Sequence, residues 1–255
     1  MILAIIGNKG GTAKSTTAVN LAAALALKGR RTLLIDLDGQ ASASMSLGID
    51  WSGFRPSIAD VILAGRQLAP IIRKTSAEGL DLVTGSPDLA DADLQLAKIQ
   101  GREWRLKEAL TPIRDAYDFI ILDAPPSLGL LVVNALVAAD AFIIPTPPEF
   151  LALQGLIGLL AAVQRIQEGI GTASRLMGIL LTKVDHRRKV TDEVIQVIRG
   201  HYRDDVFRTE VRVDVRLIEA PSFGQTIFQY ASGSAGAEAY RKLADEVISR
   251  KGRTS

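Results

Sequence analysis

A short apolar run, Ile2-Leu3-Ala4-Ile5-Ile6, leads through Gly7 into Asn8-Lys9-Gly10-Gly11-Thr12-Ala13-Lys14-Ser15-Thr16 and then into an alanine- and leucine-rich segment. No other feature restricts the fold so sharply. A strand that delivers such a loop to the start of a helix points backbone N–H groups at one spot, and the helix N-terminus adds its positive end there. Gly10 and Gly11 let the backbone curl around phosphates, Lys14 is placed to contact the terminal ones, and the Ser15 hydroxyl is placed to meet magnesium. The strict pattern G-x-x-x-x-G-K-[ST] is not met, because Asn8 and Ala13 hold its two glycine positions. A methyl at Ala13 suits the loop if φ there is negative. The strand–loop–helix context carries the expectation of a site for ATP and Mg2+, with hydrolysis of the ATP, formed by Lys9, Gly10, Gly11, Thr12, Ala13, Lys14, Ser15 and Thr16.

The rest of the chain supports an α/β fold. Strands are expected at Ile2–Ile6, Thr32–Asp36, Leu80–Thr84, Phe119–Asp123, Ala141–Pro145 and Met177–Val184. Several are apolar throughout, the pattern of strands covered on both faces of a parallel sheet. Helices are expected between them at Lys14–Leu27, Ser57–Leu63, Leu89–Leu110, Leu130–Ala138, Leu151–Gln167 and Thr191–Gly200. Such alternation predicts a doubly wound, mostly parallel sheet with helices on both faces, of the P-loop NTPase type. A last helix at about Ala235–Arg250 aligns Ala237, Tyr240, Leu243, Ala244 and Val247 in one stripe that docks on the body. With no repeat or linker visible, residues 1–255 are read as a single P-loop ATPase domain.

Composition excludes other chemistries. There are no cysteines, so disulfides, thiolate metal sites and cysteine nucleophiles are out, and His186 and His201 are the only histidines. The stretch Leu128 to Pro145 is interrupted by Asn134 and Asp140 and reads as a buried helix followed by a strand, so no membrane span is expected. No basic segment precedes the first strand, and the expected location is cytoplasmic and nucleoid-associated. Net charge is −2 over residues 1–174 and +4 over 175–255.

Lys9-Gly10-Gly11-x-x-Lys14-Ser15 resembles the deviant Walker A motif of the ParA/MinD ATPases, in which Lys9 matches the extra signature lysine. Leu33-Leu34-Ile35-Asp36-Leu37-Asp38-Gly39-Gln40 resembles the family's first switch, with Gly39 where proline is usual. Tyr117-Asp118-Phe119-Ile120-Ile121-Leu122-Asp123-Ala124-Pro125-Pro126 is similar to its Walker B strand and second switch. Glu219-Ala220-Pro221-Ser222-Phe223-Gly224 and Ser234-Ala235-Gly236-Ala237-Glu238-Ala239-Tyr240 resemble the C-terminal part of small, Soj-like partition members. The resemblance implies that Asp36 and Asp123 join Ser15 at magnesium, and that Asp38 positions or deprotonates the attacking water. It implies that Lys9 reaches across a homodimer formed in the ATP state to the other subunit's phosphates, acting with Lys14 and Asp38 in catalysis. Thr182, near the end of the Met177–Val184 strand, is added to the nucleotide-contacting set.

The resemblance also bears on partners. MinD-like members carry a C-terminal amphipathic helix for membranes, whereas Val247-Ile248-Ser249-Arg250-Lys251-Gly252-Arg253-Thr254-Ser255 is basic and lacks Phe, Trp or Leu, so no membrane partner is expected. Partition-type relatives bind double-stranded DNA without sequence preference through basic groups in this region, here Arg187, Arg188, Lys189, Arg216 and Lys242. No helix-turn-helix precedes the first strand, so operator recognition is not expected. The expected activity is ATP-driven segregation of DNA, with a ParB-like or other cargo adaptor stimulating hydrolysis. Positioning of a chemotaxis cluster or microcompartment, a P-loop biosynthetic ligase, and a nucleotide-binding module without catalysis remain as alternatives.

Overall fold

The computed structural model describes residues 1–252; Arg253, Thr254 and Ser255 of the basic tail lie outside the described residues. Eight strands form one sheet: β1 Ile2–Ile5, β2 Thr32–Asp36, β3 Arg73–Lys74, β4 Leu80–Val83, β5 Phe119–Asp123, β6 Ala141–Thr146, β7 Arg175–Val184 and β8 Val206–Arg212. Their order is β3-β4-β2-β5-β1-β6-β7-β8. Every pairing is parallel except that of β3 with β4. The chain therefore winds to one side of β1, returns through β5, and continues to the other side. The carboxyl end of β1 lies at that reversal, where open α/β sheets bind ligands.

The helices are α1 Lys14–Leu27, α2 Ser42–Ser46, α3 Ile58–Ile62, α4 Ala92–Leu96, α5 Arg105–Leu110, α6 Leu130–Ala138, α7 Phe150–Ile170, α8 Lys189–Tyr202, α9 Arg216–Glu219, α10 Ile227–Tyr230 and α11 Ala235–Gly252. They cover both faces of the sheet. Alternate strand residues enter opposite cores: Ile2, Ala4, Leu33, Ile35, Ile120 and Leu122 pack with α3, α5, α6, α7 and α8. Leu3, Ile5, Leu34, Phe119 and Ile121 pack with α1 and α11. Period-2 side-chain alternation with both faces dry is the reason these strands read as unbroken apolar runs. The expected stripe on α11 is buried at Ala237, Tyr240, Leu243, Ala244 and Val247, and the Tyr240 hydroxyl meets that of Thr17 on α1 at 3.3 Å.

Two expectations need correction. The helix expected over Leu89–Leu110 is broken into α4 and α5, because Gly101 adopts φ 69° and the chain turns there. The break lets Asp93 accept the Leu130 N–H at 2.7 Å, capping α6, whose own cap residue Gly129 has no side chain. Asn134 fixes the turn and the start of α5 by accepting the Leu106 N–H and donating to the Arg102 carbonyl. Two strands were missed. β3 is a two-residue edge, and β8 alternates apolar residues with Arg208, Glu210 and Arg212 because it is the other edge. α7, 21 residues long, has a mean hydropathy of 1.4 over its most apolar stretch, and passes for a spanning helix by length and composition alone, as core helices also can. Ala152, Leu156, Leu159 and Val163 face the sheet, while Phe150, Leu151 and Ile157 are exposed.

Candidate functional site

The loop between β1 and α1 has positive φ at two residues. Gly11 has φ 75°, which glycine adopts freely. Ala13, the N-cap of α1, has φ 69° and ψ 32°, so the negative φ under which its methyl would sit easily is not the one adopted. An L-residue in this region costs about 1 kcal/mol or more, and the turn into α1 enforces it. No side chain caps α1, which leaves the first N–H groups of the helix open at the loop. Gly10 lies in open space with ordinary φ, so its smallness serves approach from outside rather than a backbone requirement.

Lys14 is buried, and its ammonium donates to the Lys9 carbonyl at 2.9 Å. Burial pulls its pKa down, while Asp123 and Asp38 pull it back up. Lys9 is exposed and donates to the Leu151 carbonyl on α7 of its own chain at 2.9 Å. Beside it Asn8 donates to the Gly155 carbonyl at 3.1 Å, which Gly155 permits because a Cβ there would lie 3.3 Å from the Asn8 Oδ1. Thr182 is fully buried, and its hydroxyl donates to the Thr12 carbonyl at 3.1 Å, tying β7 to the loop. Ser15 and Thr16, half-buried on the first turn of α1, complete the set drawn together here.

Two carboxylates meet at the carboxyl ends of adjacent strands. Asp36 and Asp123 are register partners across β2 and β5, and both are fully buried. Neither Asp123 oxygen has a hydrogen-bond partner. Burial and then the neighbouring Asp36 push its pKa well up, while Ser15 and Lys14 ease it. A buried carboxylate with both oxygens bare, next to a lysine and a serine hydroxyl, is a donor set for a hard divalent cation. Asp36 is differently occupied: it accepts the Ser44 N–H and hydroxyl at 2.9 and 2.8 Å and the Asp38 N–H at 3.1 Å. Its pKa is also raised, chiefly by burial. It thus anchors the loop after β2, while Asp38, half-buried, accepts the Gln40 N–H at 2.9 Å within that loop.

Ser44 and Gly85 were not foreseen. The Ser44 hydroxyl also accepts the Gly85 N–H at 3.1 Å, and a Cβ on Gly85 would stand 2.6 Å from the Asp38 carbonyl. A Cβ on Gly39 would press on the Ala90 amide at 3.2 Å, so the glycine found where proline is usual fits a close approach. No local pattern announces these contacts, since each joins separate loops.

Of the basic residues, Arg187 and Arg188 lie in the turn after β7, Lys189 opens α8, and Arg216 opens α9 beyond β8. β7 and β8 are neighbours, so these four are carried by segments that leave the carboxyl ends of adjacent strands. Lys242 sits on α11, paired with Glu238 at 3.4 Å, and no contact joins it to the others.

Sheet order, the loop after β1 and the paired aspartates define the P-loop ATPase class. A model described as an AAA domain matches residues 1–176. The chain is 42% identical to the sporulation initiation inhibitor protein Soj of Bacillus subtilis, over 96% of this chain and 97% of Soj. It is 41% identical to the chromosome partitioning protein ParA of Myxococcus xanthus, over 98% of this chain and 88% of that one. The chain belongs to the Soj/ParA family of chromosome-partitioning ATPases. A structure of cobyrinic acid a,c-diamide synthase from Mycobacterium smegmatis, with bound ATP analogue and magnesium, superposes with a TM-score of 0.85 at 33% identity, covering 99% of this chain and 96% of that one.

Proposed function

We propose that the chain binds ATP and magnesium at the loop after β1, hydrolyses the ATP, and uses the cycle to segregate DNA. The carrying observation is Asp123, a buried carboxylate with two bare oxygens at the carboxyl end of β5, beside Lys14 and Ser15. Ser15 and Asp123 would hold magnesium, with Asp36 close behind; bound there, the ion supplies positive charge where phosphate charge builds up. The open N–H groups of α1 and the Lys14 ammonium receive the phosphates. Asp38 orients the attacking water, and Lys9 leaves the Leu151 carbonyl to reach a second copy's phosphates in an ATP-dependent homodimer. The dimer binds double-stranded DNA without sequence preference through the turn after β7 and Arg216, and a ParB-like or other cargo adaptor triggers hydrolysis and release. Its place is the cytoplasm, on the nucleoid. The names of the relatives at 41–42% identity support this reading.

The synthase that superposes so well supports a second reading, a P-loop biosynthetic ligase that uses ATP on a small molecule. Phosphate release separates the two. The partition reading expects slow release from ATP without any acceptor, raised by DNA together with the adaptor. Turnover that requires an added small-molecule acceptor and ignores DNA would replace it.

A further inference from the structure

Two of the three arginines on which the DNA reading leans are already occupied. Arg187 donates from Nε and Nη2 to the two oxygens of Asp185 at 2.7 and 2.9 Å, a bidentate fork. Its backbone N–H reaches the same carboxylate at 3.2 Å, and Arg188 Nε lies 3.5 Å from it. The carboxylate is sheltered, with 13% of the side chain exposed, while the two arginine side chains are 85% and 73% exposed. These partners hold Asp185 ionised, with its pKa lowered to about 2, chiefly by the Arg187 hydrogen bonds.

Asp185 does not brace the turn against the rest of the fold, since each of these partners lies within three residues of it. His186 braces it instead, meeting Asp192 of α8 at 2.6 Å and Glu210 of β8 at 3.0 Å. Arg199 holds Glu210 in turn at 2.8 Å. Arg216, farther along the same edge, makes no ion pair among the described residues.

We propose that Asp185 is an internal competitor for phosphate, occupying the guanidinium edges that a duplex must take. The proposal rests on the DNA reading above and adds its regulation. A fork that fits a carboxylate fits a phosphate equally, so the two exclude each other on Arg187. A single phosphate must strip Asp185 of its main partner for one new contact. A polymer engages Arg187, Arg188 and Arg216 together, and the added contacts outweigh that loss. The device keeps the turn clear of small anions and holds DNA affinity low enough for release.

The test is fluorescence anisotropy of a short random-sequence duplex with ATP present, titrated across roughly 50 to 200 mM salt. Asp185→Asn is expected to bind about threefold tighter at low salt, the scale of an exposed ion pair. The slope of log affinity against log salt is expected to steepen by about 1, one added phosphate contact. Millimolar pyrophosphate is expected to displace the duplex from the variant more readily than from the parent. If Asp185→Asn misfolds by circular dichroism, Asp185→Ser keeps an acceptor for the Arg187 N–H and takes its place. Unchanged affinity and slope, with Arg187→Gln and Arg188→Gln still weakening binding, overturns the competitor and leaves the DNA reading standing. Arginine substitutions without effect in either background remove the DNA reading and the proposal with it.

Discussion

Ala13 carries a methyl group through a backbone geometry that glycine adopts freely. Ala13→Gly should therefore stabilise the fold by up to about 1 kcal/mol, less what glycine adds to the freedom of the unfolded chain. Chemical denaturation checks this, and a loss of stability would mean that the methyl packs usefully. Asp123 has the opposite character, a residue kept at the expense of stability. Its folded pKa lies above the ordinary 3.8, as does that of Asp36 at about 6, so the folded chain holds protons that the unfolded chain has released. For these acids stability is lost as pH rises from near 4 through about 6 and is regained as pH falls. Paired surface carboxylates such as Asp185 and Asp118, whose pKa values are depressed, work the other way at lower pH. Asp123→Asn should stabilise the protein at neutral pH by about 1 kcal/mol, flatten this dependence and abolish phosphate release. Thermal melts between pH 5 and 8 should show the flattening.

At the scale of elements, α11 is held at its end by Arg250. The guanidinium donates to the Met177 carbonyl at 2.6 Å and the Val206 carbonyl at 3.1 Å, and stacks 4.2 Å from the Phe207 ring centroid. Arg250→Ala should cost about 2–3 kcal/mol, read as a lowered denaturation midpoint. A cost near zero would show that the apolar stripe docks α11 unaided. That stripe was legible in the sequence because period-3.6 burial leaves a strong pattern. β1, β2 and β5 were legible because both of their faces are dry. β8 was not, since Val206, Phe207 and Val211 alternate with charges that solvent accepts at an edge. The break between α4 and α5 was hidden because Asp93 and Asn134 act across the chain rather than along it. The site divides in the same way. Lys14, Asp36 and Asp123 sit at strand and helix ends where the pattern points, whereas Ser44 and Gly85 matter through contacts between separate segments.

At the scale of the whole molecule, Lys9 is docked on its own α7, next to a row of exposed apolar residues at Phe150, Leu151 and Ile157. On the proposed cycle, Asp38→Ala should accumulate an ATP-bound dimer, seen as a doubled mass by light scattering; a variant that stays monomeric in ATP would contradict the role given to Asp38. Lys9→Ala should lose phosphate release by at least about tenfold while melting within a few degrees of the parent, since its ammonium is exposed and makes one backbone contact. Near-normal turnover would mean that no lysine is needed in trans.

The hydrogen bond between Thr17 and Tyr240 joins helices 223 residues apart in the chain. One layer of the molecule is built from the first and the last of the described helices. Until α11 emerges, the face of β8 around Phe207 and Val211 and the outer side of α1 lack their cover. Closing that layer is a contact of very high sequence separation, slow to form and exposed to aggregation while it waits. A nascent chain stalled before residue 235 should thus behave as a sticky intermediate, and expression yield should depend on chaperones more than the stability of the finished fold suggests.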